Sequence, residues 1–253
     1  MKGNNSKTPS VKPNTKTDRE FDISKININI KFKNERQKQF IKLIEEKDMV
    51  ICAGSAGTGK SYLAIHGALK LLKTAKDSNG NPLYDKIIMV RSIQTIDSKT
   101  ESLGSLPGNM DDKMSIFTLP FMCNITKIIG NDNTKKMIDA GIIEFLPIGY
   151  IRGISIDRAI VICEESQNVP LESMRTLMTR IEASKLIIVG DESQKDIDRH
   201  KVSSLSIVYE MFNNYDNIGT MRFERCDIVR SKLVMLVEDR FDKLMEERKE
   251  LFK

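Results

Sequence analysis

Tryptophan is absent from the 253 residues, histidine occurs twice, cysteine four times, and aromatic residues make up only 6%. Each shortage excludes something. His66 and His200 are too few and too widely separated in sequence for a histidine-rich metal site. Cys52, Cys123, Cys163 and Cys226 form no C-x-x-C pair, and Cys52 and Cys163 sit inside apolar runs. Neither a disulfide framework nor a zinc cluster is expected, and a reducing, cytoplasmic setting fits. Sparse aromatics leave few platforms for stacking single-stranded bases. The longest apolar runs reach about half of the ~20 residues that cross a bilayer, and Met1 to Lys16 is polar, so neither a membrane span nor a secretory signal is expected. The charge excess is also small: 40 Lys and Arg against 35 Asp and Glu leave +5. That permits contact with nucleic acid and equally suits a solvated surface.

What is present is a repeating pattern of short apolar runs. Hydrophobic residues are 40% and charged residues 30% of the chain, enough for a packed core. Residues 1–32 are rich in Lys, Asn, Ser, Thr and Pro and read as a flexible basic arm ahead of a single domain over 33–253. Six β-branched runs read as buried strands: Met49 to Ala53, Lys86 to Arg91, Ile142 to Leu146, Ala159 to Cys163, Lys185 to Val189 and Ile218 to Phe223. Helical spacing over Lys60 to Lys73 and Pro170 to Ala183 fills two of the gaps, and a long amphipathic helix is expected from Asp227 to Phe252. Residues 92–132 are polar with Gly, Pro and Asn signals and suggest an inserted lobe or surface loop. The alternation predicts an α/β fold with a parallel sheet covered by helices on both faces, with ligands at the carboxyl ends of the strands.

Chemistry concentrates at those strand ends. Gly54-Ser55-Ala56-Gly57-Thr58-Gly59-Lys60-Ser61 follows the first strand and opens a helix. Its glycines let backbone N–H groups converge on phosphate, Lys60 reaches the β- and γ-phosphates, and the Ser61 hydroxyl binds Mg²⁺. A second strand ends in Glu164-Glu165. One carboxylate is needed for the metal's water shell and one for the attacking water, which assigns Glu164 to Mg²⁺ and Glu165 to catalysis. A third strand ends in Gly190-Asp191-Glu192-Ser193-Gln194, where Gln194 can bond both γ-phosphate and water. Together these predict a P-loop site for ATP with Mg²⁺.

GSAGTGKS, IRGIS before a strand ending EESQN, VGDESQKD and RFERCDIVRS, in that order, resemble the PhoH-like family of ATPases, itself similar to the first RecA-like motor domain of superfamily 1 helicases. The resemblance runs from about Asn34 to about Leu236. It implies that Gln37, in Asn34-Glu35-Arg36-Gln37, reads the adenine edge, that Leu103 to Gly108 with Lys113 form a characteristic lobe, and that the chain assembles as a homo-oligomer, such as a hexameric ring. Arg230 matches an arginine of the family motif and either stabilises charge on the γ-phosphate or is a surface arginine at a helix start. Arg152, and with it Arg91, is a candidate contact to nucleic-acid phosphate or a neighbouring subunit; a structural salt bridge is the other reading of Arg152. His66 is expected to be packed. One departure stands out: Glu164 occupies a position where the family usually has Asp.

The expected function is therefore Mg²⁺-dependent ATP hydrolysis coupled to single-stranded RNA or DNA. In that reading Lys60 and Mg²⁺ neutralise developing charge while Glu165 and Gln194 position the water. Two alternatives remain open: a small-molecule kinase using the same loop, and a nucleotide-gated binding module that hydrolyses poorly because of Glu164.

Overall fold

The computed structural model describes residues 21–92, 110–194 and 202–247. Eight strands lie within them: β1 (Met49–Gly54), β2 (Lys86–Arg91), β3 (Ile143–Pro147), β4 (Ile156–Asp157), β5 (Ala159–Glu164), β6 (Ile181–Glu182), β7 (Lys185–Val189) and β8 (Ile218–Phe223). The helices are α1 (Glu35–Glu46), α2 (Lys60–Thr74), α3 (Met110–Ile129), α4 (Asn131–Asp139), α5 (Leu171–Met178), α6 (Ser204–Met211) and α7 (Lys232–Glu247). Six strands form one sheet in the order β3-β2-β5-β7-β1-β8, and every pairing in it is parallel. The expected α/β architecture is thus present, with each of the six apolar runs in the sheet.

A parallel sheet buried on both faces needs apolar residues at consecutive positions, and these strands supply them. Val50 and Cys52 of β1 face a core with α1, α2 and α3, whereas Ile51 and Ala53 face a second core with α5 and α6. β5 alternates in the same way: Ile160 and Ile162 on one face, Val161 and Cys163 on the other. Phe40 of α1 meets Phe223 of β8 edge-on at 5.8 Å. Both rings are fully buried, and such a pair adds about 0.5–1.5 kcal/mol beyond the area it removes from water.

The structure departs from expectation in four places. Residues 21–32 pack against the domain: Ile26 and Ile28 are buried in the same core as α2, and the Lys73 ammonium donates to the Ile26 carbonyl. Isoleucines at alternate positions gave that segment an apolar edge, so the arm ends earlier than residue 32. Residues 110–129 form α3, a helix with Pro120 inside it, where a loop was one reading. Phe117, Phe121, Ile125, Ile128 and Ile129 bury its inner side. The helix expected over Pro170 to Ala183 stops at Met178; Ile181 and Glu182 instead form β6, paired with β4. The last helix begins at Lys232, after a separate turn over Arg225–Asp227 closed by a reciprocal Glu224–Asp227 capping box. Residues 1–20, Leu103 to Gly108 and the Lys113 side chain lie outside the described residues.

Candidate nucleotide site

β1 runs directly into the loop Gly54–Gly59, and the loop into α2, so the first turn of α2 aims its free N–H groups at the carboxyl edge of the sheet. Glycine is required twice, at Gly54 by close approach to backbone and at Gly57 by a left-handed φ of 80 with the Arg230 side chain against it. A Cβ on Gly54 would sit 2.4 Å from the Phe223 carbonyl oxygen of β8, and one on Gly57 would sit 2.4 Å from Nε of Arg230. Thr58 ties the loop on itself through its hydroxyl to the Ser55 carbonyl, 3.0 Å. From outside, the Val229 N–H donates to the Gly57 carbonyl, 3.0 Å. Lys60 is buried, and its ammonium donates to the Gly54 and Ser55 carbonyls at 2.6 and 2.7 Å. Burial pulls its pKa below the ordinary lysine value, Cys52, Asp191 and Glu165 oppose that shift, and nearby Arg230 adds to it.

Two carboxylates adjacent in sequence have different environments. Glu164 ends β5 in register with Arg91 of β2. It is buried, Ser61 lies beside its carboxyl, and its Oε1 has no partner. Burial raises its pKa to about 7, against the opposing pull of Ser61 and Arg91. Glu165 turns sharply out of the strand with φ 50 and ψ 40. A left-handed conformation in a non-glycine residue costs of order 1–3 kcal/mol and persists only where the surroundings hold it. Its Oε2 accepts from the Gln167 amide at 2.6 Å.

β7 contributes the opposite wall. Asp191 is buried; its Oδ1 accepts from the N–H and hydroxyl of Ser193, at 3.0 and 2.6 Å, while Oδ2 has no partner. The turn Glu192–Gln194 is braced from behind by an ion pair between Glu192 and Arg222 of β8, and the Ser206 hydroxyl also donates to Glu192. Burial pushes the Glu192 pKa up and the Arg222 and Ser206 hydrogen bonds pull it down, leaving it below the usual value.

These walls enclose a cavity of about 390 Å³ lined by Gly57, Lys60, Ser61, Glu165, Asp191, Gln194 and Arg230 among others. Of the expected residues, the structure brings Ala56, Gly57, Gly59, Lys60, Ser61, Glu165, Gln194 and Arg230 to one cleft. Arg230 reaches it from the same chain. Gly54, Ser55 and Thr58 form the loop beneath. Gln37 is buried under the loop with its amide engaged: Nε2 donates to the Thr58 carbonyl at 3.0 Å, and Oε1 accepts from Lys33 N–H at 2.8 Å. Arg91 lies beside Glu164, and Arg152 is exposed on the β3–β4 connection, apart from the cleft lining. His66 is packed as expected, edge-on to Phe32 at 6.1 Å.

Three contributors were not singled out beforehand. Asp191 stood beside Gln194 in the strand-end cluster, and its position directly after β7 was the available signal. Tyr62 follows the loop motif and reaches the cleft from α2. Asn124 comes from α3, and nothing local in its sequence marks it.

A parallel six-stranded sheet with a glycine loop leading into a helix, and a carboxylate pair on a neighbouring strand end, defines a P-loop nucleotide-binding α/β protein. Within that class the model of the PhoH-like protein family matches residues 29–242, and the chain belongs to that family. It is 35% identical over 215 residues to a PhoH-like protein of Bacillus subtilis, covering 85% of this chain and 64% of the relative. Against Protein PhoH of Escherichia coli K12 it is 32% identical over 204 residues, covering 79% and 55%. The chain therefore spans less than two thirds of the length of these relatives. Among solved structures, the large terminase of a thermophilic bacteriophage matches with a TM-score of 0.47 at 12% identity, over 81% of this chain and 49% of that one. The same terminase in complex with ADP gives a TM-score of 0.46.

Proposed function

We propose that the chain binds ATP with Mg²⁺ in this cleft and hydrolyses it. The observation that carries the reading is the buried Glu164 carboxyl at the end of β5, with Oε1 unpartnered and Ser61 beside it, next to Glu165 on the cleft wall. A buried polar atom left open costs about 1–3 kcal/mol, which a bound ligand repays. Among the described residues no cluster of three or more His, Cys, Asp or Glu could hold a metal ion. A cation here would take Ser61 and Glu164 from the protein and complete its shell with phosphate and water. When bound, it would neutralise charge on the β- and γ-phosphates.

The chain's own residues have distinct tasks in this reading. The Gly54–Gly59 backbone and the start of α2 seat the phosphates. Lys60 exchanges its two carbonyl partners for phosphate oxygens. Glu165 accepts the proton of the attacking water, Gln194 orients that water, and Arg230 meets charge developing on the γ-phosphate. Gln37 sets the loop's shape through Thr58 and takes the adenine edge with its remaining amide N–H. The deciding experiment is release of free phosphate from ATP with Mg²⁺, with EDTA, and in Lys60→Ala. Nucleotide affinity with no turnover would favour the nucleotide-gated module, for which the long Glu164 side chain is the specific support. Phosphate delivered to a nucleoside or sugar would favour the kinase.

Coupling to single-stranded RNA or DNA is the finer part of the proposal, supported by the net charge of +5 and by exposed Tyr150 and Arg152 on one connection at the carboxyl side of β3. Stimulation of turnover by single strands, weakening steeply with salt, is the expected result. A homo-oligomer is proposed with it. Light scattering that gave only monomer, with and without nucleotide, would overturn that part.

A further inference from the structure

The carboxylate proposed as the base does not stand alone. Gln167, 1% exposed and absent from the cleft lining, lies between the end of β5 and the loop after β7. Its Nε2 donates to Glu165 Oε2 at 2.6 Å and to the Gln194 carbonyl at 3.2 Å, while its Oε1 accepts from the Asp191 N–H at 2.9 Å. The amide can sit only one way round. Two acceptors face its nitrogen and one N–H donor faces its oxygen, so a flipped amide would lose all three bonds. Space is reserved for it as well. A Cβ on Gly190 would lie 2.5 Å from Gln167 Oε1, so the glycine of the β7 loop is what admits this amide.

We infer that Gln167 is a positioning residue that aims the Glu165 carboxylate into the cleft and locks it to the loop carrying Asp191 and Gln194. The inference rests on the hydrolysis reading above. Glu165 sits on a left-handed turn, and its carboxylate is held at its far end by the short bond to Gln167. The same amide holds both ends of the Asp191–Gln194 turn, by the N–H of the first residue and the carbonyl of the last. The Glu165 carboxylate and the backbone that carries Gln194 are thereby fixed relative to one another by a group outside the cleft lining. A misplacement of about 1 Å in such a constellation costs on the order of a hundredfold in rate.

Two variants separate this role from a purely structural one. Gln167→Ala removes all three bonds. Gln167→Glu keeps an oxygen for the Asp191 N–H and removes the N–H donors to Glu165 and Gln194. Steady-state ATP turnover and ADP affinity are measured for each, alone and combined with Glu165→Gln. Both single variants are expected to lower kcat by about ten- to a hundredfold while KM and ADP affinity stay within about twofold. In the Glu165→Gln background the further loss is expected to be at least several-fold smaller than in the parent, since only the part acting through the Asp191–Gln194 turn is left to lose. Equal losses in both backgrounds, or a raised KM with kcat retained, would overturn the inference and leave Gln167 a strut of the fold. If one variant fails to fold, the other carries the same comparison. Absence of turnover in the parent would overturn the hydrolysis reading itself, and this inference with it.

Discussion

The two ends of the central sheet treat buried polar groups in opposite ways. At the amino end, the buried Lys185 ammonium donates to the Lys47 carbonyl, and the more exposed pairs Lys86–Glu144 and Arg158–Asp85 close at 2.9 Å each. At the carboxyl end, Glu164 Oε1 and Asp191 Oδ2 are buried with no partner. Lys185 is satisfied within the fold, as an orphaned buried group costs stability, and away from the sheet ends the packed His66 also keeps a buried ring nitrogen, Nδ1, without a partner. The two carboxylate oxygens left open at one edge, around a glycine loop, are those the proposed ligand would engage. The contrast yields tests that differ in size.

The largest effect is expected from Glu165→Gln. The substitution keeps the side chain's shape and removes its basicity, so turnover should fall by about a hundred- to ten-thousandfold, with nucleotide affinity close to the parent's. Phosphate-release kinetics and a binding titration check this together. Equal turnover in variant and parent would remove Glu165 from the base role and erase the functional half of the comparison.

Next in size are the two buried ionisable groups at opposite ends. Glu164 is pushed up to about 7 by burial. Between its ordinary value near 4.5 and about 7 the folded protein binds more protons than the unfolded chain, so this group makes stability fall as pH rises through that window. Lys185 is pulled down to about 8, again by burial, with Asp48 opposing. Between about 8 and 10.5 the unfolded chain binds more protons, so this group makes stability rise with pH there. Denaturant titrations in EDTA should show the falling limb flatten in Glu164→Gln, which stabilises the ligand-free protein by roughly 1–3 kcal/mol at about pH 8. The rising limb should flatten in Lys185→Met. Mg²⁺ with ATP should abolish the first slope, since a bound cation holds Glu164 ionised, and leave the second untouched. Equal ligand sensitivity at both ends would break the comparison.

Much of this contrast was legible in the amino-acid sequence, for a physical reason. Strands buried on both faces need unbroken apolar runs, and such runs as Ala159 to Cys163 and Lys185 to Val189 have few other uses. Residues at the ends of those runs therefore fall at the sheet edge, which places Lys60, Glu164, Glu165 and Gln194 together without any knowledge of contacts. The parts that were not legible depend on tertiary packing. Asn124 reaches the cleft because α3 packs beside α2, across many residues of intervening chain. Gln167 follows the Glu pair in sequence, but its value lies in bonds to Asp191 and Gln194 on another strand end. Gln37 illustrates a related limit. A side chain that the family resemblance assigns to the base is engaged under the loop by Thr58 and Lys33.

The smallest effect concerns the cysteines, which report on the same two cores. Cys52 lies two residues before Gly54 and Cys163 immediately precedes Glu164; both are buried, on opposite faces of the sheet. Burial pushes both thiols up to about 12, leaving almost no thiolate near neutral pH, and the thiolate is the reactive form. Cys123 and Cys226 are exposed. A thiol-reactive dye at about pH 8 should therefore label two cysteines promptly, and the remaining two only after denaturant is added, with the labelled positions identified by peptide mass mapping. Because Cys52 and Cys163 adjoin the nucleotide cleft, ATP with Mg²⁺ should slow their labelling under mild denaturant more than it slows that of Cys123. Prompt labelling of Cys163 in the folded protein would mean that the end of β5 opens on its own, and that the unpartnered Glu164 oxygen reaches water without any ligand.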